Sequence, residues 1–227
     1  MRPFEELLEE SVAAHGHLCA GQVIGVRMAM LGCHLIGISN PHANEWRKKI
    51  MVYIEIDRCA TDAIGSVTGC KLGKRTMKFR DYGINAATFV NLETDKAVRI
   101  VSTESSRHRA ADYAPEETNE NRQQLIGYMR MPDEVLFDIQ EVSVAIPEWE
   151  MAGPARRKVV CTRCGQVVRD GREVCIGEDF LCRPCAGDAY FLPRPPNSSS
   201  EPAVMSRKLK DDSIPVRRPY HDASSVH

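Results

Sequence analysis

No apolar run in this chain of 227 residues approaches the ~20 needed for a membrane-spanning helix. Its first residues, Met1-Arg2-Pro3-Phe4-Glu5-Glu6, are acidic and hold no apolar signal-peptide core. The expectation is a cytoplasmic protein without a membrane span. Charge of one sign is also lacking: 30 Lys and Arg against 31 Asp and Glu leave a net charge of -1, which gives no general pull towards nucleic acid or an anionic membrane. Before residue 161 there is no Cys-x-x-Cys. Cys19, Cys33, Cys59 and Cys70 stand singly, so the sequence gives no motif for thioredoxin-type dithiol chemistry.

Cysteine itself is plentiful. Nine in a chain read as cytoplasmic, an odd number, point to metal or redox chemistry in preference to a disulfide framework. The densest chemistry is His15-Gly16-His17-Leu18-Cys19-Ala20-Gly21, with two imidazoles and one thiol within five positions. His and Cys are donors that zinc, iron and copper favour, and a thiol beside an imidazole is also how a cysteine nucleophile is activated. The bland alternative makes Cys19 a small buried hydrophobe and the histidines ordinary loop residues. The apolar segment Val23 to Leu31 reads as a helix that starts near Ala20 and Gly21. Cys19 then sits at a helix N-terminus, where unpaired amides and the helix dipole favour a thiolate.

Phe4, Leu7, Leu8 and Val12 recur at helical spacing among glutamates, so residues 4–14 are predicted to be an amphipathic helix. The next helix, about 20–36, is apolar nearly all round. Its Gly21, Gly25, Ala29 and Gly32 would admit a close backbone, from the sheet or from a second copy of the chain; Cys33 and His34 on it read as packing. A short helix near 44–48 precedes the best predicted strand, 50–56, which runs into Asp57-Arg58-Cys59 and a second helix start, a junction where α/β sheets place ligands. Thr68 to Arg75 is a glycine-punctuated loop that could hold an anion through Lys74, although it lacks P-loop spacing. Strands are predicted at 77–80, 86–92 and 97–102, as antiparallel neighbours, followed by helices within 107–137 and an alternating strand at 138–146. This order describes an α+β fold with a mixed sheet.

After a linker around 147–155 come Cys161-Thr162-Arg163-Cys164 and Cys182-Arg183-Pro184-Cys185, two knuckles separated by seventeen residues. Four thiolates on two such turns complete a tetrahedron, so Cys161, Cys164, Cys182 and Cys185 are predicted to hold structural zinc. Rubredoxin-type iron uses similar ligands. The metal would supply folding energy to a segment too short for a core of its own. Cys175 is left over. Arg156, Arg157, Lys158, Arg163, Arg169 and Arg172 lack interleaved aromatics and read as a solvated surface, not a nucleic-acid face. The predicted units are an α+β domain over 1–150, a zinc ribbon over 156–190 and a disordered tail over 193–227.

The sequence also resembles the FmdE family of formylmethanofuran dehydrogenase proteins. The resemblance rests on the His15–Gly21 stretch, on Asp57-Arg58-Cys59 with Asp62-Ala63-Ile64, on Thr68-Gly69-Cys70 with Leu72-Gly73-Lys74, and on Asp81-Tyr82-Gly83 with Ala87-Thr88-Phe89. It implies a thioredoxin-like mixed sheet flanked by helices, a tendency to dimerise, a metal region that includes the His-x-Cys stretch, and association with molybdenum or tungsten formylmethanofuran dehydrogenase subunits. Nothing here resembles the pterin-binding or iron–sulfur subunits, so the resemblance does not make this chain the catalyst. Three functions follow as hypotheses. In the first, His17, Cys19 and Cys59 bind a second transition metal, with His15 or Asp62 as a further ligand, in an accessory protein of C1 metabolism. In the second, that metal serves a stand-alone enzyme, with Asp57 or Asp62 as general base and Lys74 on an anion. In the third, the zinc ribbon makes the chain a nucleic-acid or protein adaptor.

Overall fold

The computed structural model describes residues 1–193. The tail predicted over 193–227 therefore lies almost wholly outside the described residues. The chain opens with α1 (Phe4–His15), stopped by Gly16 at φ 99, and α2 (Ala20–Leu35). A single 3₁₀ turn at Asn44–Trp46 leads to β1 (Ile50–Ile54), then α3 (Cys59–Thr68), β2 (Met77–Phe79), β3 (Ala86–Asn91) and β4 (Ala97–Ser102). Four further helices follow, α4 (Glu104–His108), α5 (Ala110–Tyr113), α6 (Glu120–Arg130) and α7 (Asp133–Leu136), before β5 (Phe137–Glu141). The last four strands are β6 (Lys158–Val160), β7 (Val167–Arg169), β8 (Val174–Ile176) and β9 (Asp179–Leu181).

The main sheet has the order β2-β1-β3-β4-β5 and is mixed. β1 pairs antiparallel with β3 but parallel with β2, with Val52 opposite Met77. This corrects the expectation that the strands at 77–80 and 86–92 are neighbours: α3 carries the chain across from β1, and a helical crossover returns a strand parallel to its partner. β1 is buried throughout because both faces are covered. Ile50, Val52 and Ile54 join Val23, Val26, Met28 and Phe89 in the helix-side core; Met51 and Tyr53 join Val90 and Ala97 on the other face.

The outer face is covered by the chain after β5. The strand predicted over 138–146 stops at Glu141, and Val142, Val144, Ile146 and Met151 continue as extended chain packed against Met51 and Tyr53. The alternation in the sequence is real, but its apolar residues serve this second layer while Ile139 on β5 stays largely exposed. Polar anchors accompany the wrap. Arg99 pairs with the buried Glu55 through two 2.7 Å hydrogen bonds, and Lys78 donates to the Glu150 carbonyl at 2.5 Å. Burial lowers the Lys78 pKa despite the nearby Glu150 charge.

The small residues of α2 are explained by contacts within the chain. A Cβ on Gly25 would lie 2.5 Å from the Ala60 carbonyl of α3, and one on Gly32 would overlap the Phe89 ring of β3. Between them these positions let one helix and the sheet approach as closely as bare backbone allows.

Candidate metal centres

Three helix ends meet at the first site. α1 ends on His15, the left-handed turn at Gly16 reverses the chain, and Cys19 takes the N-cap position of α2 with its carbonyl accepting from the Gln22 and Val23 amides. Ligand atoms of His15, His17 and Cys19 lie within 4.8 Å of one another. The first residue of α3, Cys59, stands beside them with its thiol in hydrogen-bond contact with Cys19. Gly21 is what brings α2 and α3 this close, since a Cβ there would fall 2.8 Å from the Cys59 Cβ. Burial, followed by the hydrogen bond with Cys19, raises the Cys59 pKa.

His15 carries the most informative geometry. Its Nδ1 is 2.9 Å from Asp62 Oδ2, one turn into α3, while its buried Nε2 has no hydrogen-bond partner. With Nδ1 donating to the carboxylate, Nε2 keeps the lone pair, which is how carboxylate–histidine pairs prepare an imidazole to bind a metal. The residues thus fit a transition-metal ion: two imidazoles and one thiol converge, with a second thiol adjacent. The tightest group differs from the predicted His17, Cys19 and Cys59 by including His15. Asp62 stands behind His15, engaged with its imidazole, and Asp57 is exposed in the turn before α3.

One supporting residue is not singled out by the sequence motifs. Gln22 is fully buried; its Oε1 accepts from the Ser11 hydroxyl of α1 and its Nε2 donates to the Cys59 carbonyl at 2.7 Å. It ties all three helices together directly behind the cluster. A lone glutamine among apolar residues of a buried helix is the available signal.

Lys74 is not part of this site. It lies beyond the C-terminal end of α3, whose ten residues span about 15 Å, whereas Cys59 begins that helix.

The second cluster is Cys161, Cys164, Cys182 and Cys185, again within 4.8 Å. Both knuckles close in the same way, Gly165 N–H to the Cys161 carbonyl at 2.9 Å and Ala186 N–H to the Cys182 carbonyl at 3.0 Å. Backbone amides, that of Cys182 foremost, lower the Cys161 pKa to about 6, and the neighbouring Cys182 and Cys164 thiols raise that of Cys185 to about 12. Four thiols at this spacing cannot all ionise together without a cation, and they could hold a metal such as zinc. Cys175 is exposed on β8 and outside the cluster. The ribbon's basic residues are largely paired, Arg157 with Glu173, Arg156 with Glu148 and Arg172 with Asp170.

A helix-flanked mixed sheet with an imidazole–thiol cluster at one end and a four-cysteine cluster near its C-terminal edge defines a class of α+β proteins with two candidate metal centres. The chain belongs to the FmdE family: residues 14–138 match the family described as "FmdE, Molybdenum formylmethanofuran dehydrogenase operon". It is similar to an FmdE-like protein of tungsten formylmethanofuran dehydrogenase from Syntrophus aciditrophicus, known from its crystal structure, with a TM-score of 0.54 and 20% identity over 83% of this chain and 95% of that one. A probable S-adenosyl-L-methionine-binding protein from Archaeoglobus fulgidus is 27% identical over 202 residues, 82% of this chain and 54% of that protein. The chain spans about half the length of this curated relative. No helix among the described residues is long and apolar enough to cross a membrane.

Proposed function

We propose that this protein binds a transition metal through His15, His17, Cys19 and Cys59, and serves as an accessory factor of a formylmethanofuran dehydrogenase-type molybdenum or tungsten C1 system. The observation that carries the metal reading is His15, held by Asp62 at Nδ1 and left with a buried, unpartnered Nε2 beside His17 and Cys19. Membership of the family carries the C1 association. In this reading the four ribbon cysteines hold structural zinc, the sheet takes a thioredoxin-like arrangement supported by the parallel β1–α3–β2 unit, and two copies associate as a homodimer in the cytoplasm. Asp62, engaged with His15, orients that ligand and is not available as the general base of a stand-alone enzyme.

Elemental mass spectrometry of the anaerobically purified full-length protein tests the reading. Wild type should carry about two metal equivalents per chain, and Cys19→Ser about one, with ribbon zinc retained. If Cys19→Ser keeps the full metal content of wild type, the ligand assignment fails.

A further inference from the structure

A second cleft lies at the other end of α3 from the His–Cys cluster. It has a volume of about 450 Å³ and is enclosed by the turn 41–48, the loop 68–76 and the start of the ribbon linker at Gly153-Pro154. Although the chain as a whole is balanced in charge, the lining contains His42, Arg47, Lys48, Lys74 and Arg75 and no carboxylate. Arg75 is neutralised by Asp170 at 2.6 Å. Arg47, Lys48 and Lys74 form no ion pair among the described residues. Three like charges gathered in one concavity without counter-charges concentrate a positive potential there.

Both turns that carry these cations are rigid. On one side, Trp46 N–H donates to Ala43, Arg47 N–H to Asn44 and Lys49 N–H to Trp46, and His42 Nε2 lies 2.9 Å from the Ser66 carbonyl of α3. On the other, Lys71 N–H donates to Thr76 Oγ1 at 3.1 Å, and Lys74 and Arg75 N–H close onto Lys71 and Leu72. Lys48 at φ 64 and Arg75 at φ 62 are both held in the left-handed region, which side chains other than glycine rarely adopt. Two such residues on facing walls of one cleft fit the pattern in which backbone strain gathers at ligand clamps. A half-buried Trp46 supplies an apolar wall.

We propose that this cleft binds the phosphoryl group of a small molecule, with Arg47 as the bidentate donor and Lys48 and Lys74 as point charges. The cleft's size suits a small ligand, and its position at the far end of α3 makes this site independent of the metal proposed above.

Isothermal titration of the full-length protein with inorganic pyrophosphate at low ionic strength provides the test, with Trp46 fluorescence in a Trp149→Phe background as a second readout. Saturable one-site binding is expected. Lys74→Gln and Arg47→Gln should each weaken it by about tenfold or more, while Lys158→Gln on β6, outside the cleft, leaves it unchanged. Both cleft variants should keep the metal content of wild type, which separates this proposal from that for the His–Cys cluster. The Lys74 and Arg47 side chains are exposed, so the fold should survive their loss, and equal thermal melts verify this. Binding that does not saturate by ~10 mM, which is weaker than the millimolar scale of a specific anion site, overturns the proposal. So does unaltered affinity in both variants. A single-stranded oligonucleotide that displaces pyrophosphate and binds more tightly would overturn it too, replacing the small molecule with a nucleic-acid strand.

Discussion

His15 is fixed from one side by a carboxylate and offers its other nitrogen to the space shared with His17 and Cys19. The quality of that arrangement depends on Asp62, whose side chain is two-thirds exposed and so has no evident packing role. Asp62→Ala should therefore leave the melting temperature nearly unchanged while weakening metal retention at the first cluster by about 10- to 100-fold, as loss of an orienting carboxylate does elsewhere. Competition with a chromophoric chelator reads that affinity; an unchanged value would show that Asp62 does not orient the ligand. At this scale the sequence is partly legible. His17, Cys19 and the four ribbon cysteines stand out by spacing alone, because ligands two or three residues apart converge whatever the rest of the chain does. The pairing of His15 with Asp62 spans 47 residues and exists only because α1 packs on α3, so no local pattern announces it. Cys33, which reads as packing from its place on an apolar helix, is packing: burial lifts its pKa to about 12. Cys70 also sits in the core.

Among the elements, the contact of α2 with α3 organises the site. Gly21 sets the spacing of Cys19 and Cys59, Gln22 hydrogen-bonds across all three helices, and Gly25 lets the two backbones touch. Gly25→Ala places a methyl group 2.5 Å from a backbone carbonyl that cannot move aside as a side chain would, and should destabilise the protein by about 1–3 kcal/mol. Urea denaturation followed by circular dichroism measures this; the intrinsic helix preference of alanine over glycine acts in the opposite direction, so a stabilised variant would mean that α2 and α3 are less closely packed than described. Helix positions are readable because 3.6-residue periodicity is local. Strand order is not. β2 follows α3 and lies next to β1, not next to β3, and that choice is made by the path of the crossover, which leaves no trace in the composition of Met77 to Phe79.

For the whole molecule, the ribbon has its own small cluster of Cys161, Leu181 and Cys182, and it meets the main sheet through few contacts: Arg75 with Asp170 and with the Trp149 carbonyl, and Gly171 against the Trp149 ring. A segment with so little apolar interior relies on its ligands for folding. Cys182→Ser should release the amides of β6 to β9 to hydrogen exchange while those of β1 and β3 stay protected. Loss of protection in both regions together would show that they unfold as one cooperative unit.

The wrap of residues 142–151 over the outer face of the sheet bears on how such a module can be inherited or recombined. The family match ends at residue 138, yet Met51 and Tyr53, near the middle of the sheet, depend for their cover on chain that comes later. A gene fusion made at the edge of the shared homology would leave an oily, strand-rich surface ready to aggregate, so the smallest inheritable piece of this protein extends past its recognisable ancestry, to about Met151.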